Sequence, residues 1–280
     1  MKAHTIRIWE RRYGLLDPDR TDTNIRTYSS EELKTILNVA FLNRHGVKIS
    51  HIAALSRAER DRRVKEVADD KSDPDISLNA LKLAMLSYDA DLFERTSDAF
   101  RAVEGFRALA ERLYVPLLEH VGVLWQSNTI CPAQEHFASN MVRQKLVAAI
   151  DQARPLPRLE GKLHVLYLPE NEIHEIGLLY LHYRLRIAGE RTIYLGQSVP
   201  MEDLAQVADQ FTGPITFIAV LTAFPHSDDL PPHLQKLRAS MPDDRIEHVF
   251  TGSRVADADM TPPAGIRLFP RFRDLLATLP

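Results

Sequence analysis

The chain has 280 residues, 45% of them hydrophobic and 26% charged, a length and composition that suit two or three globular domains at about 100–200 residues each and exclude a fibrous or wholly disordered chain. The single cysteine, Cys131, excludes an intrachain disulfide framework and suits a reducing cytoplasm; no run of about 18 apolar residues would span a membrane, and the first residues lack the apolar core of a signal segment. The net charge of −3 is uneven: residues 1–56 hold nine Lys/Arg against six Asp/Glu and the remainder 26 against 32, a basic head on an acidic body that points to a polyanion as the partner of the head.

Near the amino terminus Ile6, Trp9 and Tyr13 fall on one face of a helix, with Arg7, Arg11 and Arg12 elsewhere on it. Gly14 stops this helix, with Pro18 beyond. From Arg20 to Tyr28, β-branched residues flank a turn at Asp22–Asn24 and predict a small hairpin. Ser29 and Glu32 have capping-box spacing for a helix that runs to about Arg44 and ends at Gly46; a short helix over 49–55 follows. Helix, basic hairpin, helix and short helix make a winged-helix arrangement. The residues closely resemble the MerR family of transcription regulators, whose corresponding stretch has the form Thr-Leu/Ile-Arg-x-Trp-Glu-Arg-Arg-Tyr-Gly-Leu-Leu-x-Pro-x-Arg, then Arg-x-Tyr-Ser. The resemblance covers about the first 55 residues. It implies that the first helix enters the major groove of double-stranded DNA and that the hairpin is a wing on the phosphates. By matching position it implies DNA contacts at His4, Thr5, Arg7, Arg11, Arg12, Arg20, Asn24, Arg26 and Tyr28, with Trp9 and Tyr13 as core. Family members carry a further helix ahead of this point. Residues 1–56 are therefore expected to form a truncated MerR-type winged helix, its first helix missing and Ile6, Ile8 and Trp9 short of cover.

Residues 57–75 are dense in charge and poor in apolar side chains, which predicts a helical tail fraying into a charged linker, broken at Pro74. Residues 76–153 are helical: one helix from about Ser77, a second from Asp89 through Phe100, a third over 106–125 bent at Pro116, and a fourth over 132–153 with Pro132 in its first turn. Short connections make this an antiparallel four-helix bundle. Nine residues separate Trp125 from the pair Glu135-His136. That spacing resembles the helical cap of cobalamin-dependent, light-sensing MerR-type repressors. The resemblance implies that Trp125, Glu135 and His136 cover the upper face of a corrin. Light-sensing relatives carry a histidine directly after the tryptophan; Gln126 stands here, and an amide is a poor ligand for that metal.

A Pro-containing linker, 154–160, leads into residues 154–280 as a whole, where apolar runs at about 163–169, 192–196, 215–221, 246–251 and 266–269 alternate with helical patterns at 173–188, 202–211, 228–240 and 271–279. This predicts a flavodoxin-like α/β domain with a five-stranded parallel sheet, covered by helices on both sides. Strand ends converge on one edge, where ligands of such sheets bind. The first loop there reads Glu172-Ile-His174-Glu-Ile-Gly177. A histidine in this place can reach a metal, and Glu172 can orient its second ring nitrogen. The run is similar to the Asp-x-His-x-x-Gly signature of cobalamin-binding domains, whose histidine takes the place of the ligand's own base beneath the cobalt. The resemblance makes 154–280 a Rossmann-like cobalamin-binding domain with His174 as the metal ligand. Glu172 is one methylene longer than the family's Asp, which is expected to displace the hydrogen bond. Gly177 either packs the helix on the sheet or leaves room for the nucleotide tail. Thr222 matches the small hydroxyl residue of the second loop; Gly252 keeps one glycine of the third loop's pair, with Ser253 in place of the other.

The domain order resembles MerR-type cobalamin-dependent regulators over the whole chain. It implies a cytoplasmic, non-enzymatic transcription regulator that binds DNA as a dimer or tetramer and senses a cobalamin, with adenosylcobalamin as the candidate form. Two alternatives stay open: a regulator of this fold that has lost the cofactor and answers to a protein partner, and a corrinoid-carrying methyltransferase subunit.

Overall fold

The computed structural model describes residues 3–68, 74–126, 129–153, 161–258 and 260–280; the side chains of residues 30, 65, 68, 125, 126 and 227 are outside the description. The linker 154–160 is thus outside the described residues. Two compact units emerge, Met1–Val142 and Arg143–Pro280.

In the first unit, α1 (Ala3–Tyr13) precedes a hairpin of β1 (Asp19–Arg20) and β2 (Arg26–Thr27), paired Asp19 to Thr27 and Arg20 to Arg26. Trp9 is buried and Tyr13 half-buried, whereas Ile8 is 48% exposed. Asn24 takes the left-handed conformation the hairpin turn needs, φ 63°. The predicted capping box forms: Ser29 accepts from the Glu32 amide, and the Glu32 carboxylate accepts from the Ser29 amide, at the start of α2 (Ser30–Arg44). A short α3 (Ile49–Ala54) follows. The expected helical tail is the helix α4 (Arg57–Ala68), and residues 69–73 of the expected charged linker lie outside the described residues. A second capping box, Ser56 with Glu59, starts α4, and Val64 is buried. Pro74, read as a break, is the first residue of α5 (Pro74–Ser87), where its missing N–H costs nothing.

The helices beyond are α6 (Ala90–Leu109), a π-helical turn (Ala110–Tyr114), α7 (Val115–Gln126) and α8 (Pro132–Gln152). Gly105, at φ 82° and ψ 167°, interrupts α6 where the sequence separates the second helix from the third. The bend expected at Pro116 takes the form of the π turn, in which the Val115 amide reaches back five residues to Ala110. The wider turn relieves the clash between a proline ring and the carbonyl behind it. Leu81, Met85, Phe93, Phe100, Leu113 and Tyr114 fill the core of these helices.

The second unit holds a five-stranded parallel sheet: β3 (Leu163–Pro169), β4 (Arg191–Val199), β5 (Ile215–Val220), β6 (Ile246–Thr251) and β7 (Ile266–Phe269), in spatial order β4-β3-β5-β6-β7. This is the flavodoxin-like order, with the switch point between β3 and β5. Strand residues alternate between two cores. Val165, Tyr167, Phe217 and Phe250 pack with Leu204 of α10 (Met201–Asp209) and Leu234 of α11 (Leu230–Ser240). Leu166, Leu168, Ile218 and Val249 pack with Leu178 and Leu181 of α9 (Ile176–Ile187) and Leu275 of α13 (Phe272–Thr278). A four-residue helix, α12 (Ser253–Ala256), was not anticipated.

Candidate functional site

All five strands run parallel, so the loops after β3, β5 and β6 meet at one edge of the sheet. The loop after β3 turns at Asn171, φ 68°, and the Glu172 amide donates back to the Pro169 carbonyl at 3.0 Å. Glu172 is fully buried. Its Oε1 accepts from the Nδ1 of His174 at 2.6 Å and from the amides of Ile173 and His174, both at 2.9 Å. The longer side chain therefore does not displace the hydrogen bond to the imidazole. Its Oε2 accepts from three successive amides of the loop after β5: Thr222 at 2.9 Å, Ala223 at 2.6 Å and Phe224 at 2.9 Å. Burial by itself would raise the Glu172 carboxyl, but the His174 hydrogen bond and the amides of Phe224, His174 and Ala223 outweigh it and bring it down to about 2. An ionised carboxylate only accepts, so Nδ1 of His174 carries its proton. The ring itself is half exposed, 51%, with Ile173 beside it 60% exposed.

Thr222 is exposed at this edge. Ser253 donates its hydroxyl to the Thr222 carbonyl at 2.7 Å, and Arg254 donates through Nε to the Ala223 carbonyl at 3.1 Å. Gly252, at φ 117°, lies against the backbone of Leu221; a Cβ there would sit 2.3 Å from the Leu221 carbonyl oxygen. A Cβ on Gly177 would come 3.1 Å from Cγ1 of Val220 and 3.6 Å from the Phe272 ring, so of its two expected roles close helix-to-sheet packing is the one in place. The loops thus bring Glu172, His174, Thr222, Gly252 and Ser253 together.

The sequence reading missed a second carboxylate. Glu175, 6% exposed, accepts from Nε of Arg143 at 2.6 Å and from the Tyr194 hydroxyl at 2.7 Å. It sits between His174 and the first turn of α9, so this cluster fixes the root of the loop. Burial first, then the hydrogen bond to Glu175, pushes the Tyr194 hydroxyl far up from its ordinary value. The only sequence signal was the second acid in Glu-x-His-Glu; its partners come from distant elements.

In the first unit, Glu135 and His136 in the first turn of α8 pair with each other, Oε2 to Nδ1 at 2.6 Å. Trp125 lies in the last turn of α7, and its side chain is outside the described residues, as is that of Gln126. On α1, His4, Arg7, Arg11 and Arg12 are exposed and share a shallow face with Ile8, while Thr5 is half-buried. In the hairpin, Arg20 donates to Asn24 at 2.6 Å. Arg26 is committed to Glu10 of α1 by two hydrogen bonds, 2.8 and 3.1 Å. Tyr28 is half-buried.

Residues 1–59 match the MerR HTH family of regulatory proteins, and residues 77–149 match the B12 binding domain family. The HTH-type transcriptional repressor CarH of Myxococcus xanthus is 33% identical over 253 residues, which are 86% of this chain and 82% of that protein. The chain belongs to this family of MerR-type regulators with a B12-binding part. The HTH-type transcriptional repressor CarA of the same organism is 31% identical over 202 residues, 71% of this chain and 65% of CarA. The structure of the Methanosarcina barkeri monomethylamine corrinoid protein superposes with a TM-score of 0.56 at 15% identity, covering 69% of this chain and 92% of that one; at that identity the likeness is one of fold. No helix among the described residues is long and apolar enough to cross a membrane.

Proposed function

We propose that this regulator acts on double-stranded DNA under the control of a cobalamin, with His174 as its protein ligand to cobalt. The observation that carries the reading is the clamp on His174. A buried carboxylate with five backbone amides holds Nδ1 protonated, which turns Nε2 into the ligating nitrogen of an exposed imidazole at the switch point of the sheet. Among the described residues no group of three or more His, Cys, Asp or Glu could hold a metal ion. A single imidazole suits a metal that arrives with its other ligands in a macrocycle. When bound, that group supplies a cobalt centre and a broad apolar face. The chain's own residues do the rest: Glu172 orients the imidazole, Ile173 offers apolar surface beside it, Gly177 lets the helix pack closely on the sheet, and Thr222, Gly252 and Ser253 shape the edge that receives the nucleotide. Trp125, Glu135 and His136 are assigned to cofactor binding, and adenosylcobalamin is the form for which a tryptophan has most use.

His4, Thr5, Arg7, Arg11 and Arg12 of the first helix and Arg20, Asn24 and Tyr28 of the wing form the DNA-facing set, with Arg26, held by Glu10, keeping the wing on the helix. MerR-type heads read paired half-sites, so the acting form is a homo-oligomer in the cytoplasm, without an enzymatic step. Cofactor binding changes the spacing of two heads and thereby operator affinity.

The test is retention of corrinoid. Protein incubated with adenosylcobalamin and passed through gel filtration carries corrinoid absorbance, and His174→Ala retains roughly tenfold less. Equally little corrinoid on both proteins overturns the assignment.

A further inference from the structure

Only one oxygen of Glu172 serves His174. Contacts to Oε1 are local, all within residues 172–174, and an aspartate could make them. Oε2 instead crosses to the loop after β5, fifty residues on, where the amides of Thr222, Ala223 and Phe224 converge on it. Successive amides aimed at one point form an anion-binding concavity. Here the anion is the protein's own side chain. The main chain of Glu172 is tied to a third strand end as well: its carbonyl accepts from the Ser198 amide at 3.3 Å, and the Ser198 hydroxyl accepts from the Asn171 amide at 3.2 Å.

We propose that Glu172 is a positioning residue for two loops at once, orienting His174 through one oxygen and setting the loop of Thr222 through the other. The glutamate that departs from the family's Asp-x-His pattern is on this account a longer brace. Removing one methylene draws the carboxylate back by about 1.5 Å, the length of a C–C bond, which takes three contacts of 2.6 to 2.9 Å beyond hydrogen-bonding reach unless the loop moves. His174 keeps its partner, while Thr222 loses its fixed distance from it. The consequence for nucleotide recognition rests on the cobalamin reading; the brace itself is a property of the chain without ligand.

The experiment is amide hydrogen exchange on the full chain without cofactor, comparing wild type, Glu172→Asp, Glu172→Gln and His174→Ala. Exchange at residues 222–224 speeds by about tenfold or more in Glu172→Asp, while amides of Phe217 and Ile218 within β5 keep their rates. Glu172→Gln keeps the length and loses the charge, and falls between. His174→Ala leaves 222–224 within about twofold of wild type, because Oε2 does not depend on the imidazole. Wild-type protection at 222–224 in Glu172→Asp overturns the proposal, as does equal acceleration of the β5 amides, which would mean that the whole unit has loosened. A second arm compares retention of cobalamin with that of cobinamide, which lacks the nucleotide: Glu172→Asp lowers the first and spares the second. A wild type that retains neither overturns the cobalamin reading and leaves the exchange result standing.

Discussion

Two glutamates show how differently the two units hold the side chains proposed to act. Glu172 is fully buried and gathers five backbone amides and an imidazole. Glu10, in the amino-terminal head, pairs among the described residues with one side chain, Arg26, and the two are 19% and 22% exposed. The first arrangement fixes main chain to main chain through one carboxylate, and salt has little access to it. The second fixes a helix to a wing through an ion pair only partly buried, at a surface that water and salt reach. A pocket for a rigid macrocycle gains from the first. A surface that must settle onto a polyanion tolerates the second. The difference can be broken at the glycines, at a buried histidine and at the arginines.

The largest effect is expected at Gly252. Its φ of 117° is left-handed, and an added Cβ would lie 2.3 Å from the Leu221 carbonyl oxygen, which is main chain and cannot swing aside. Gly252→Ala should destabilise the α/β unit by on the order of 4 kcal/mol. Gly14, in the head, is also left-handed, φ 60°, but nothing lies within 4 Å of its Cβ position. Gly14→Ala should cost only the backbone strain, about 1 kcal/mol. Thermal or urea unfolding of the two variants measures the contrast, and equal losses would show that the sheet edge is no stiffer than the head.

His248 sets the next effect. It is fully buried in β6, its ring 5.4 Å from that of Phe217 and 6.4 Å from that of Phe250, and neither ring nitrogen has a partner among the described residues. Burial, aided by Arg238 and opposed by Glu247, lowers its pKa from 6.5 to about 4. The folded form thus disfavours the proton that the unfolded chain takes up near 6.5. Stability is complete above that pH and falls as pH drops from 6.5 through 4, by about 3 kcal/mol in all. His248→Leu should flatten this part of the pH profile of the unfolding free energy. A slope unchanged in the variant would assign the loss to other groups.

How much of this could be read beforehand depends on how local each interaction is. The strands were legible because parallel strands buried on both faces write continuous apolar runs. The capping box of Ser29 and Glu32 was legible because both partners lie within one turn. Glu172 and His174 were visible as a pair for the same reason. The other oxygen of Glu172 was not, since its partners are amides, which no residue type encodes, in a loop fifty positions away. Ser253 was noted as a departure from a glycine, but its hydrogen bond to the Thr222 carbonyl needs β5 beside β6. Helix α4 was legible as helical but not as packed, because charge density hides a buried valine, Val64, and a capping box at its start.

The smallest effect separates two arginines that the sequence treats alike. Arg11 is exposed on α1, whereas Arg26 is held by Glu10. If both touch phosphates on DNA, each substitution should lower the slope of log K against log salt by about 0.9. The geometry favours a split. Arg11→Ala should lose that slope and weaken binding to all sequences alike. Arg26→Ala should weaken binding with little change of slope, because its charge is already matched by Glu10 and its work is to keep the wing on the helix. Glu10→Ala should then reproduce the loss seen with Arg26→Ala, although it removes a negative charge, which on electrostatics alone would strengthen binding to a polyanion. Titration of operator DNA at several salt concentrations decides it. A Glu10→Ala protein that binds more tightly than wild type would mean that Arg26 leaves its partner for a phosphate, and that the head rearranges on DNA where the sheet edge does not need to.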